Sequence, residues 1–386
     1  MDLSLFTTPI SEEKAQHYSS KKNSIGEKTR FYKNNKIERK YKLALLGVKE
    51  SRGGTVESVK NSPDFVREHL YALYPSFDFS LIDLGNIKEG ETVEDTFFAL
   101  SEIIVELFKK EIVPIIIGGS QELTYAIYQA YGKLELVANL VTIDRKIDFK
   151  ESQSITSDTY LRDIILSKPN YLFNYSNIGG QSYYLNPETE EIMNKLYFDN
   201  TRLGDLQKNI EKAEPILRNC NILSFDMNSI RQAEVPGTSF PSPNGLFGNE
   251  ACQITRYAGM SDKLSVCGFF EMTPELDIQG QTAHLLAQMI WYFLEGFSIR
   301  KGESPLSSDK NYLKYKVILS SSEEELVFIK SQKTNRWWMK IPYPPTKKMK
   351  FERHHLVPCN YLDYQIALKD EMPNLWINTY NKINIK

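Results

Sequence analysis

The sequence predicts an α/β protein: a three-layer αβα architecture around a mainly parallel sheet, with a small C-terminal subdomain. Three observations lead there. Between residues 42 and 300, short apolar segments alternate with amphipathic ones at helical spacing. Those short segments are apolar throughout, as in a parallel sheet covered on both faces. Beyond residue 300 the pattern changes to two runs, KYKVIL and ELVFIKS, that read as a hairpin.

The elements follow in order. KLALLGV (42–48) is a buried strand closed by Gly47. SPDFVREHLYAL (62–73) opens with Ser-Pro, a cap and first-turn pair, and then keeps helical spacing. FSLIDLG (79–85) is the second strand, and TVEDTFFALSEIIVELFKK (92–110) a helix with Phe97, Leu100, Ile104 and Leu107 on one side. IVPIIIGG (112–119) is the third strand, QELTYAIYQAY a helix, and LVTID (140–144) the fourth strand. NILSFD (221–226) and LSVCGFF (264–270) are later strands, and TAHLLAQMIWYFLEG (282–296) is a helix stopped by Gly296.

The chain has 386 residues, 41% hydrophobic and 25% charged, an ordinary balance for a globular protein. Its net charge of −2 is uneven: residues 1–42 carry +5 and residues 301–386 carry +6, leaving −13 for residues 43–300. We divide it into a basic N-terminal arm (1–41), polar and poorly patterned, an α/β domain (42–300) and an aromatic-rich subdomain (301–386). The basic ends either fold onto the acidic middle or meet an acidic partner. No apolar run is long enough for a membrane span, and the first residues lack a basic stretch before an apolar one. The four cysteines form no C-x-x-C pair. The expectation is a cytoplasmic chain with reduced thiols, without membrane insertion or nucleic-acid binding.

Ligands of parallel sheets bind beyond the carboxyl ends of the strands. Four such ends carry polar groups: Gln121-Glu122 after Gly118-Gly119, Asp144-Arg145-Lys146-Ile147-Asp148, Asp226-Met227-Asn228, and Glu271. Two carboxylates at i and i+4 past a strand tip suggest a metal or a catalytic pair, yet a lysine stands between them. A pair of divalent metals would want five or six oxygen or imidazole ligands from several such ends.

The ordered segments resemble the ureohydrolase family of arginase, agmatinase and formimidoylglutamase over roughly 42–300. GVKESRGG and SPDFVREHLYAL are similar to its opening loop and first helix, and LIDLGNI to its second strand. IIIGGSQELTYAI stands where the family has Gly-Gly-x-His, and TIDRKIDF where it has Asp-x-His-x-Asp. LSFDMNSIRQAEVPGTSFPSPNGLFGNE is similar to its Ser-x-Asp-x-Asp segment and following loop. FFEMTPELDIQGQTAHLLAQM is similar to its closing strand and helix, and NIGGQSYY leans toward formimidoylglutamase.

The resemblance implies an arginase-like fold, trimers or hexamers as in relatives, and two manganese ions that ionise a water for attack on an amidino carbon. The ligand pattern departs from it at three positions: Gln121 and Lys146 replace histidines, and Asn228 replaces an aspartate. Asp144, Asp148 and Asp226 remain. We therefore expect no cofactor and an impaired or inactive hydrolase that binds a protein partner or its own copies. The alternative is an active hydrolase of a linear amidine with an altered site. It would use manganese or another divalent cation, with Glu271 and Asp148 as catalytic candidates. A single hard cation on the three carboxylates and two amides is a further option.

Lys146 is either an internal counter-ion for the three aspartates or a solvent-facing lysine. Glu271 and Asn244 are the candidate binding residues, Asn244 in the loop that would rim the pocket, where Asn249 would cap the next helix. Trp337, Trp338 and Tyr343 are either a recognition patch or the core of the subdomain.

Overall fold

The computed structural model describes residues 3–33, 37–54, 62–303, 305, 310–320, 323–343 and 355–385. Two short strands, β1 (Thr7–Thr8) and β2 (Arg30–Phe31), precede β3 (Leu43–Gly47), β4 (Leu81–Ile87) and β5 (Val113–Ile117). Then come β6 (Ala138–Ile143), β7 (Leu172–Gly180), β8 (Asp199–Arg202), β9 (Ile222–Asp226) and β10 (Val266–Phe270). They form one ten-stranded sheet in the order β1-β4-β3-β5-β10-β9-β6-β7-β8, with β2 also paired to β4. Only β1 runs antiparallel to its neighbour.

Strand periodicity explains the three layers. Leu43, Leu45, Ile115 and Ile117 belong to one core, with residues of the helices Ser62–Ala72, Gly248–Gly259 and Gln281–Ser298. Ala44, Leu46 and Ile116 point the other way, into a core shared with the helices Val93–Phe108 and Leu123–Lys133. The helix at Val93 starts where expected because Thr92 caps it. Thr92 Oγ1 accepts from the Asp95 amide, and Asp95 returns the bond to the Thr92 amide. Among the described residues, no helix is long and apolar enough to cross a membrane.

A second sheet is built from β11 (Tyr312–Ile318), β12 (Glu325–Ser331), β13 (Trp337–Lys340) and β14 (Leu356–Cys359), all antiparallel. Its first two strands are the expected hairpin. Trp337 and Trp338 are buried, Trp337 among Phe328, Met339 and Trp376, and Tyr343 packs partly buried on the same core. These aromatics are core, not an exposed patch.

Two expectations fail. The N-terminal segment is not a loose arm: β1 and β2 extend the sheet edge, and Tyr18, Ile25 and Phe31 are buried in the main core. Its apolar residues are isolated, so they show no period, but Tyr18, Ile25 and Phe31 join the core of the helix Ser62–Ala72; Ile25 N donates to Leu73 O at 2.8 Å. Asn249 is not a cap either. The helix starts one residue earlier, at Gly248, and Glu250 accepts from the Phe247 amide at 2.9 Å.

Candidate functional site

The four polar strand ends lie on four adjacent strands, β5, β10, β9 and β6. That adjacency converges Gln121, Glu271, Asp226 and Asp144 at one edge of the sheet. Gly118 and Gly119 make the exit from β5 possible. Both have positive φ, +127° and +56°, and a Cβ there would stand 2.3 Å from Val48 O and 2.3 Å from Glu50 O respectively. Glu271 itself sits at φ +67°, a left-handed conformation that strains a non-glycine residue. Its amide donates to Gly119 O at 3.0 Å, and its Oε1 accepts from the Gln121 amide at 2.8 Å. These bonds lock the glutamate against the β5 turn.

Asp144, Asp148, Asp226 and Glu271 are all buried. Burial pushes Asp144 well above the carboxylate range, and the charges of Asp148 and Asp226 push it further. Burial also raises Asp148, against the opposing charge of Lys146. Asp226 is pushed up to about 6 by burial, against the Asn228 amide that favours its ionised form. Glu271 is raised well above its usual value by burial, then by Asp226 and Glu122.

The three departures from the ligand pattern all supply N–H groups to this cluster. With its nitrogen turned toward the carboxylates, the Gln121 amide donates to Asp144 Oδ2 and Asp148 Oδ2, both at 3.2 Å. Its oxygen then accepts from Tyr160 OH at 3.2 Å and Ser224 Oγ at 3.3 Å; that orientation is assigned by the network. Asn228 donates to Asp226 Oδ1 through its backbone at 2.7 Å and its side chain at 2.9 Å. Lys146 Nζ stands 3.0 Å from Asp148 Oδ1, an ion pair without hydrogen-bond angles, and it donates to Asp158.

Lys146 is thus turned into the site, with its side chain 28% exposed. Burial alone would lower the pKa of its ammonium; the charges of Asp148 and Asp144 outweigh burial and hold it above its usual range. One detail differs from the expected counter-ion. Its partners are Asp148 and Asp158, whereas Asp226 is served by Asn228. Asp158 carries no motif signal; it reaches the site because the loop folds back, with Lys150 N donating to Asp158 O at 3.1 Å.

The sequence alone assigns no role to two residues of the strand ends. Glu122 is fully buried beside Ser120, whose hydroxyl donates to it at 2.5 Å, and burial pushes its carboxyl up to about 7. Arg145 donates to Phe240 O at 2.8 Å and lies 5.0 Å from the Tyr184 ring, forming a rim with exposed aromatics. Asn244 is exposed, and its backbone oxygen accepts from Gln181 at 3.2 Å. The site thus brings Gln121, Asp144, Lys146, Asp148, Asp226, Asn228 and Glu271 together.

Comparison with known proteins agrees with the fold. The sequence profile of the arginase family matches residues 41–295. A formimidoylglutamase of Staphylococcus haemolyticus is 26% identical over 267 residues, covering 65% of this chain and 85% of its own. One from Staphylococcus aureus is also 26% identical over 267 residues, covering 66% and 86%. Among solved structures, Trypanosoma cruzi formiminoglutamase with Mn2+ superposes with a TM-score of 0.64 at 18% identity, over 69% of this chain and 97% of that one. Bacillus subtilis formimidoylglutamase gives a TM-score of 0.63 at 19% identity, over 70% and 90%. With the profile spanning residues 41–295, well over half of the chain, and including all four polar strand ends, the chain belongs to the arginase family.

Proposed function

We propose that this chain is an arginase-family protein whose strand-end carboxylates are held by an internal ammonium instead of a metal pair. On this reading it works by binding, with another protein or a second copy of itself as partner. The observation that carries the reading is Lys146 Nζ at 3.0 Å from Asp148 Oδ1 and bonded to Asp158. The donor set points the same way. A divalent ion needs lone pairs, and positions 146 and 228 present N–H groups to the carboxylates instead, while the Gln121 amide can turn either its nitrogen or its oxygen to them. A cation already stands beside Asp148, so a second one would be repelled. The residues present do not fit a binuclear centre.

A second reading is an active hydrolase of a linear amidine, of formimidoylglutamase type, with an altered divalent-metal site. The comparisons support it more directly than they support the first: the relatives named above are formimidoylglutamases, and one was solved with Mn2+. It requires Lys146 to leave Asp148.

Metal analysis of protein purified from manganese-rich medium separates the two, together with product release from formimidoylglutamate, arginine and agmatine. The first reading expects well under one Mn2+ per chain and no turnover. It also expects Gln121→His/Lys146→His/Asn228→Asp to gain manganese. Two tightly held Mn2+ in the unaltered chain, with turnover, would overturn it and establish the second.

A further inference from the structure

At the opposite end of β9 from Asp226, where the antiparallel sheet meets the main domain, lies a cavity of about 660 Å³. That size is typical of small-molecule sites. One wall comes from the helix Ala213–Arg218, the other from β12, β13 and the start of the helix Tyr361–Leu368.

The first wall carries a guanidinium whose donors are incompletely used. Arg218 is 6% exposed. Its Nη2 donates to Cys359 O at 3.1 Å, and its plane lies 4.6 Å from the Trp338 ring. Its Nε is 3.1 Å from Glu214 Oε1, without hydrogen-bond angles, and its buried Nη1 has no hydrogen-bond partner among the described residues. Arg336 Nε stands 3.2 Å from that same Glu214 oxygen. One carboxylate oxygen therefore faces two guanidiniums. Arg336 also reaches Glu303, but only at 3.6 Å. The one other carboxylate in the lining, Glu211, is exposed, where solvent and salt screen it. Buried donors without acceptors are rare in folded proteins, and such an arrangement favours an incoming anion.

The second wall is aromatic. Trp337 stacks on Tyr364, with centroids 5.1 Å apart and planes 23° apart, and Tyr361 lies 5.5 Å from Trp337. Tyr361 remains 51% exposed although it lines the cavity. Lys330 adds a third cation, with Nζ 5.5 Å from the Trp337 ring. Tyr315 also packs on Trp337, with centroids 5.2 Å apart, so the ring open to another planar group is that of Tyr361.

We propose that this cavity binds a small planar anion: a ring bearing a carboxylate or a phosphate. Arg336 faces the anionic group with the buried Arg218 behind it, and the exposed Tyr361 ring holds the planar part. The site is independent of whether the strand-end cluster holds metal. The test titrates the full chain with AMP in one arm and indole-3-acetate in the other, with inorganic phosphate as control. Tryptophan fluorescence and calorimetry are the readouts. The expected result is saturable binding in at least one ring-bearing arm, weakened at least tenfold by Tyr361→Ala and by Arg336→Gln. The first substitution lies at an exposed position and spares the fold; circular dichroism checks the second. Which arm saturates identifies the anionic group. Failure of both arms to saturate at millimolar ligand overturns the proposal. So does equal affinity for phosphate alone, or affinity unchanged in folded Tyr361→Ala.

Discussion

Replacing Lys146 with methionine keeps an unbranched side chain, one atom shorter, and removes its charge. The ammonium lies 3.0 Å from Asp148 Oδ1, with the two side chains 28% and 1% exposed. At an effective dielectric of about 20, unit charges at that separation attract by roughly 5 kcal/mol. Desolvation of both groups offsets most of this, so a buried pair as a whole is close to neutral in stability. Losing one partner is different. Lys146→Met leaves Asp148 and Asp158 without their shared counter-charge. Burial alone would raise Asp158, and the hydrogen bonds from Lys146 and Lys150 now hold it below its usual value. Breaking a fully buried pair costs about 3–5 kcal/mol; with Lys146 partly open to solvent, we expect about 2–3 kcal/mol. Asp148→Asn in the Lys146→Met background should recover about 2 kcal/mol of that loss, because the most buried uncompensated charge is then gone. Urea unfolding of the four proteins of this cycle, followed by circular dichroism and tryptophan fluorescence, measures both numbers. A single-variant loss below about 0.5 kcal/mol, the range of ordinary surface substitutions, would refute the counter-ion role. A coupling energy near zero would refute it equally.

Three other perturbations test the frame that carries the site. Arg67 is fully buried, bonded to Asp83 at 2.8 and 2.9 Å, so Arg67→Met should destabilise by about 3–5 kcal/mol in the same urea assay. Burial would raise Asp64, but the hydrogen bond from Lys49 leads the groups that outweigh it and hold its carboxyl down to about 2. Its folded value lies below the usual 3.8, so its contribution is complete above that pH and is lost as pH falls toward 2. Asp64→Asn should therefore lower stability by about 1–2 kcal/mol at pH 6 and by less at pH 3, measured by thermal unfolding at both. Gly118→Ala places a Cβ 2.3 Å from Val48 O at φ +127° and should cost more than about 2 kcal/mol or prevent soluble expression, which a purification yield already reveals.

Much of this was legible in the sequence because it is local. The stretch IVPIIIGG contains β5 and its exit turn, since only a fully covered strand is apolar at every position. The acids at 144, 148, 226 and 271 stand at strand ends, as their positions after apolar runs implied. What escaped depends on long-range placement. The adjacency of β5, β10, β9 and β6 pairs Ile115 with Cys267, Val266 with Ile222 and Ile222 with Leu140, residues 152, 44 and 82 positions apart, and no local pattern encodes it. Asp158 gains its role only when its loop returns to Lys150. Tyr18 and Phe31 look like stray aromatics until their rings meet Tyr71, at 5.0 and 5.4 Å.

The replacements at 121, 146 and 228 belong to one electrostatic logic. Clustered carboxylates are acceptors facing acceptors, and burial makes their mutual repulsion expensive. A metal pair resolves that conflict with positive charge, and ligands that present lone pairs complete its shell. Without metal, the same conflict is resolved by groups that present hydrogens. Gln121 gives an amide to Asp144 and Asp148, Asn228 gives backbone and side-chain N–H to Asp226, and Lys146 supplies the full charge. A single such change in a metal site would leave a lone-pair ligand without its ion, or an N–H group aimed at a cation. Together the three give each carboxylate a nitrogen neighbour, with the remaining charge carried outward to Asp158 and Lys150. On the function proposed above, the strand ends keep their places in the fold, and the nitrogens at these three positions stand where the carboxylates would otherwise need metal ions.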